Sequence, residues 1–166
     1  MSWFRTDSRA RVPAEEIASA LFQVFVEGDP ESDDPRKFQL EGCDAVRFRF
    51  KMRLYKQATI LLAIGSQASR EQQYAQVLEA YEAMILPHSP TPEALRRLAD
   101  LKEAMRDIAN LVDPAGERNQ FAWAMNWLKS IGHEEYNPVT LTLFGHFVAE
   151  TYIAACKTLS ESLRPT

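Results

Sequence analysis

Apolar residues recur along this chain mostly at intervals of three and four, the spacing that lines one face of an α-helix. Ile17, Leu21, Val24 and Phe25 mark a first helix, with Pro13 at its first position, where a missing N–H leaves nothing unpaired, and Gly28 at its stop. A later helix carries Tyr74, Val77, Leu78, Tyr81, Met84 and Ile85, with Ser69 and Gln72 at capping-box spacing and a break at Leu86-Pro87. Thr91 and Pro92 then open a helix whose Ala94, Leu98, Leu101, Met105, Ile108 and Val112 alternate steps of four and three. Such a seam suits near-antiparallel packing against a neighbour. After the breaker D-P-A-G at 113–116, residues 117–131 bring Phe121, Trp123, Met125, Trp127, Leu128 and Ile131, ending at Gly132. Asn137-Pro138 opens a last helix to about residue 163. Its core stripe is Leu141, Phe144, Val148, Tyr152, Ala155 and Leu159, and Gly145 and Ala149 admit another backbone closely.

One stretch breaks the rule. Residues 46–56 read V-R-F-R-F-K-M-R-L-Y-K, a strict alternation that normally signals a half-buried strand. Residues 36–41 would pair with it across a Gly42-Cys43-Asp44 turn. Against the hairpin, no glycine or proline stands between Cys43 and Gly65, and a strand that long would be anomalous. Asp44 is a good N-cap, and Y-K-Q-A-T-I-L-L-A-I continues as a buried helix. One helix over 44–64 is the preferred reading, with a hairpin arm plus a helix as the alternative. The expected fold is therefore all-α: an antiparallel bundle of about six helices in a single domain over 1–166. A flexible basic arm at 1–12 and an acidic loop or linker at 28–43 complete it. The loop's Asp29, Glu31 and Asp33 resemble the start of a calcium loop, but Asp34 and Leu40 stand where the turn glycine and bidentate glutamate belong, so a solvated linker is expected.

Charge sharpens the picture at one place. The net charge of −4 disfavours a protein whose whole surface binds nucleic acid. Setting aside the five basic side chains of 46–56 takes the remainder to −9, so this is the densest basic cluster in an otherwise acidic chain. Two cysteines far apart, Cys43 and Cys156, suit a reducing cytosol better than a disulfide scaffold. No apolar run approaches the ~20 residues of a membrane span, and no signal-peptide pattern opens the chain. The expected location is cytoplasmic.

Three constellations could carry chemistry. Arg47, Arg49, Lys51, Arg53 and Lys56 could bind an anion, joined by Arg5, Arg9 and Arg11. As a helix, though, the segment spreads its charges around the axis and calls for internal carboxylates: Glu15, Glu16, Glu27, the acidic loop, or Glu71, Glu79 and Glu82. Trp123 and Trp127, with Asn119 and Asn126 nearby, are core if buried. Otherwise they stack a planar or cationic ligand or anchor a partner. His146 and Glu150 share a helix face and could hold a metal or a proton, but they lie on the polar stripe of the last helix, where a solvated face explains them. His133 with Glu134 adds a loop cluster. No H-E-x-x-H, phosphate loop, dinucleotide fingerprint or nucleophile elbow occurs, so no catalytic, cofactor or metal set is assigned.

The sequence thus points to a non-enzymatic helical module that works by protein–protein contact, with another protein or a second copy (a homodimer) as partner. A nucleic-acid regulator using 47–56 stands second, and a helical-bundle metal binder or enzyme using His146 and Glu150 third. No membrane association is expected.

Overall fold

The computed structural model describes residues 12–86, 88–111, 117–134 and 137–162, leaving aside the side chains of 117–119 and 162. The chain is an all-α single-domain bundle, with six α-helices and no strand among the described residues. These are α1 (Ala14–Leu21), α2 (Ala45–Ala68), α3 (Gln73–Ile85), α4 (Pro92–Leu111), α5 (Glu117–Ser130) and α6 (Pro138–Ser162). Residues 1–11 of the expected 1–12 basic arm, Val112 and the 113–116 break lie outside the described residues.

Helix α2 is the axle. It packs against α3, α4 and α6, while α5 leans on α6 and α1 on α3. The hairpin alternative is therefore excluded: 45–68 is one helix, running four residues further at its C-terminal end than expected. Its N-cap works as the sequence implies, the Asp44 carboxylate accepting from the N–H of Val46 at 3.0 Å and of Arg47 at 3.1 Å. The alternation resolves by rotation about the axis. Phe48, Met52 and Tyr55 face inward at helical spacing, whereas Val46 (77% exposed) and Phe50 (67%) face out. An alternating pattern arises here because two of the five apolar residues are not core at all.

The loop at 28–43 is a correction. It is no solvated linker: two short 3₁₀ turns, Pro30–Asp33 and Pro35–Phe38, fold it onto α2 and α6, and Ser32, Asp33, Phe38 and Leu40 are buried. Phe38 meets Phe144 edge-on, with centroids 5.2 Å apart. Lys56, buried in α2, reaches back to Asp33 Oδ1 at 2.7 Å and to the Asp29 carbonyl at 3.1 Å. Apolar burial and one internal ion pair together hold the loop down.

Other boundaries have local causes. Pro13 sits one place before α1, its carbonyl accepting from the N–H of Glu16 and Ile17. The first helix continues through a π-wound segment, Phe22–Glu27, which periodicity alone did not announce. Gly28 ends that segment, and a Cβ there would stand 2.5 Å from the Val24 carbonyl oxygen. The expected capping box before α3 does not form: Ser69 belongs to the end of α2, donating to the Ser66 carbonyl, and Gln72 gives no side-chain cap. Thr91 caps α4 through Ala94 N–H, and Asn137 caps α6 through Val139 N–H. Gly132 takes φ +82°, with His133 N–H reaching the Leu128 carbonyl and Gly132 N–H the Lys129 carbonyl, the paired bonds of a Schellman stop. A Cβ at Gly145 would lie 3.0 Å from the Gln120 carbonyl oxygen, so α5 and α6 meet there as closely as the small residue suggests.

Helix α6 also revises a sequence expectation. By length and composition 138–161 is apolar enough to cross a membrane. Here its Leu141, Phe144, Val148, Ala155 and Leu159 are buried in the core, while His146, Glu150 and Lys157 are exposed.

Candidate functional site

The aromatic centre of the bundle opens to one side. Trp123 and Trp127, four apart on α5, project toward α2 and α6. Trp123 stacks on Phe144 with centroids 5.5 Å apart and rings 19° from parallel. Trp127 meets Phe48, Tyr55 and Phe144 at 5.3, 5.7 and 4.7 Å. Both indoles are buried, 8% and 3% exposed, so they are not the exposed partner anchors that one sequence reading allowed. Packing against α2 and α6 covers most of each ring, and Lys51 lies over that of Trp127. Both indole N–H groups are buried without an acceptor.

Part of these rings lines a cleft between α2, α4 and α5. A cavity of about 510 Å³ is bounded by Lys51, Glu103, Asp107, Asn110, Trp123, Asn126, Trp127 and Ser130. A second of about 310 Å³ adjoins it, sharing Lys51, Glu103 and Ser130, and adds Arg47, Phe50, Leu54, Tyr55, Asp100, Ala104 and Ile131. The larger falls within the ~300–1,000 Å³ of ordinary ligand pockets. Helical spacing builds each wall. Asp100, Glu103, Asp107 and Asn110 form one stripe of α4, while Trp123, Asn126, Trp127 and Ser130 form one face of α5.

Electrostatics in the cleft are mixed, with carboxylates in excess. Lys51 Nζ lies 5.4 Å from the Trp127 ring centroid and 5.6 Å from that of Tyr55, and it donates to Ser130 Oγ. Burial pushes this ammonium below its ordinary pKa, opposed by the charges of Asp107, Glu103 and Asp100. Tyr55 donates its hydroxyl to Asp107. Burial first, then that bond and the charges of Asp107 and Glu103, raise the phenol far above its usual range. Among the described residues, Asp100 and Glu103 make no ion pair within 4.0 Å, leaving two carboxylates of the wall uncompensated by close contact.

No protein-family model, curated protein or solved structure matches the chain.

The basic segment is not one surface. Lys56 is sealed against Asp33, and Lys51 turns into the cleft. Arg53 approaches Glu27 and Arg47 approaches Asp44, both at 3.6 Å on exposed surface, and Arg49 is exposed. Of the foreseen partners, Glu27 and the acidic loop take part, while Asp44 and the α4 carboxylates were not foreseen. His146 and Glu150 stand 3.9 Å apart on the exposed face of α6, away from the cleft lining. His133 is buried and Glu134 exposed. Among the described residues no three histidine, cysteine or carboxylate groups gather to hold a metal ion.

Asp100, Glu103, Asp107, Asn110, Tyr55 and Ser130 were missed as site residues. The four-residue polar stripe of α4 was visible in the spacing. Which neighbour would leave it uncovered was not.

Proposed function

We propose that this chain is a binding module that works by protein–protein contact, and that its contact site is the α2–α4–α5 cleft, which receives a positively charged side chain of the partner. One observation carries the reading: three carboxylates, Asp100, Glu103 and Asp107, face an aromatic wall on which an ammonium group already rests. Aromatic faces attract cations through their ring quadrupoles, and the attraction grows as the site is desolvated. Carboxylates at the rim steer a cation inward and set its orientation. Phe50, two-thirds exposed at the edge of the smaller cavity, supplies apolar contact area beside the charged one.

The nucleic-acid reading has less support, because Lys51 and Lys56 turn inward, Arg47 and Arg53 approach carboxylates of this chain, and the cleft is lined by acids. The metal reading retains a single exposed His–Glu pair.

The test uses the tryptophans of the cleft as reporters. With Trp3→Phe removing the remaining indole, fluorescence is followed while an arginine hexapeptide is added. A saturable change, weakened by salt and lost in Glu103→Gln/Asp107→Asn, is expected. A linear, non-saturating response equal in both proteins refutes the assignment.

A further inference from the structure

Resting on that reading, we infer that Lys51 is a built-in occupant of the cleft, an internal cation that the partner's charged side chain displaces, so that the site is restrained by the chain's own α2 helix. Lys51 stands where the two cavities join, since it lines both. Its ammonium occupies the place a docking cation would take, over Trp127 and Tyr55 and beside Ser130.

Its attachments suit a removable group. The ammonium has no carboxylate within 4.0 Å among the described residues, in contrast to Lys56 five residues further on, which is clamped by Asp33 at 2.7 Å and is only 3% exposed. The same helix therefore carries a locked lysine and a loosely seated one. Burial disfavours the charge of Lys51, so swinging the flexible stem outward returns the ammonium to water. The gap it leaves is faced by Asp100, Glu103 and Asp107 from α4, by Arg47 and Tyr55 from α2, and by Ser130 and the indoles from α5. Guanidinium fits that gap better than ammonium does, because its planar fork stacks on a ring while donating to carboxylates at its edge.

The inference fixes a sign. If Lys51 competes with the incoming cation, then Lys51→Met, which keeps the aliphatic stem and removes the charge, should bind the arginine hexapeptide roughly tenfold more tightly than the parent protein, a gain of about 1.4 kcal/mol. If Lys51 instead contacts the ligand, the same substitution weakens binding. That outcome overturns the inference while leaving cleft binding by the parent protein intact. Binding by neither protein overturns both.

A second measurement needs no variant. Amine acetylation of the native protein, mapped by peptide mass spectrometry, should modify Lys51 slowly when the protein is alone and faster at saturating hexapeptide, as the displaced amine reaches solvent. Protection of Lys51 by the peptide refutes displacement.

Discussion

Replacing Lys56 with methionine isolates the ion pair that is buried between α2 and the 28–43 loop. The Lys56 and Asp33 side chains are 3% and 8% exposed, and the ammonium divides its bonds between Asp33 Oδ1 and the Asp29 carbonyl. Methionine fills much of the same volume but leaves the Asp33 carboxylate buried without its cation. Removing one member of such a pair typically destabilises by about 3–5 kcal/mol, a large share of the ~5–15 kcal/mol that holds most domains together. The expected loss for Lys56→Met is therefore about 3 kcal/mol or more, read from urea unfolding followed by circular dichroism. Lys56→Met/Asp33→Leu removes the orphaned charge, so it should recover most of that loss. The exposed Arg53–Glu27 pair supplies the control, and Glu27→Gln should shift stability by less than ~1 kcal/mol. A loss below about 1 kcal/mol for Lys56→Met alone, with no recovery in the double variant, refutes the reasoning. It would mean that the 28–43 loop lifts away freely and lets water reach Asp33.

Two further outcomes are expected. Asp44→Ala removes the cap that accepts from Val46 and Arg47 N–H and should destabilise by about 1 kcal/mol, measured in the same unfolding assay. Alkaline titration followed by ultraviolet absorbance should show Tyr55 and Tyr81 failing to ionise near the ordinary tyrosine value of ~10. Burial raises both, aided at Tyr55 by its bond to Asp107. The folded state thus keeps protons that the unfolded state releases, and stability is full below about pH 10 and declines as pH rises past it. Tyrosine absorbance that titrates completely while the protein remains folded would contradict this.

Much of the fold was legible because its signals were local. Asp44, Thr91 and Asn137 cap helices where they stand, Gly28 and Gly132 end them, and Gly145 marks a close backbone approach. Sequence reading faltered where a residue's meaning depended on what lay across from it. Val46 and Phe50 mimicked a strand because nothing local distinguishes an exposed apolar side chain from a core one. Phe38 and Leu40, set among charges and prolines, belonged to a docked segment rather than a linker, since α2 and α6 happen to offer them an apolar seat. Ser69 and Gln72 had the spacing of a cap, yet α2 ran on far enough to absorb Ser69. The cleft was the least legible feature. Trp123 and Trp127 were visible in the sequence as a pair four apart on one helix, but the acidic wall opposite them required knowing that α4 faces α5 across a gap.

The central position of α2 has a consequence for how the chain is made. Phe48 and Tyr55 leave the ribosome well before Trp127 and Phe144, the rings that finally cover them. During that interval α2 has α3 and then α4 to lean on, but one side of it stays bare, an apolar flank fringed with arginine and lysine. Nascent chains in this state are prone to capture by one another, and like charges around the flank oppose such encounters. The alternation of basic and apolar residues that obscured the helix in the sequence thus also sets like charges beside that flank until α5 and α6 close over it.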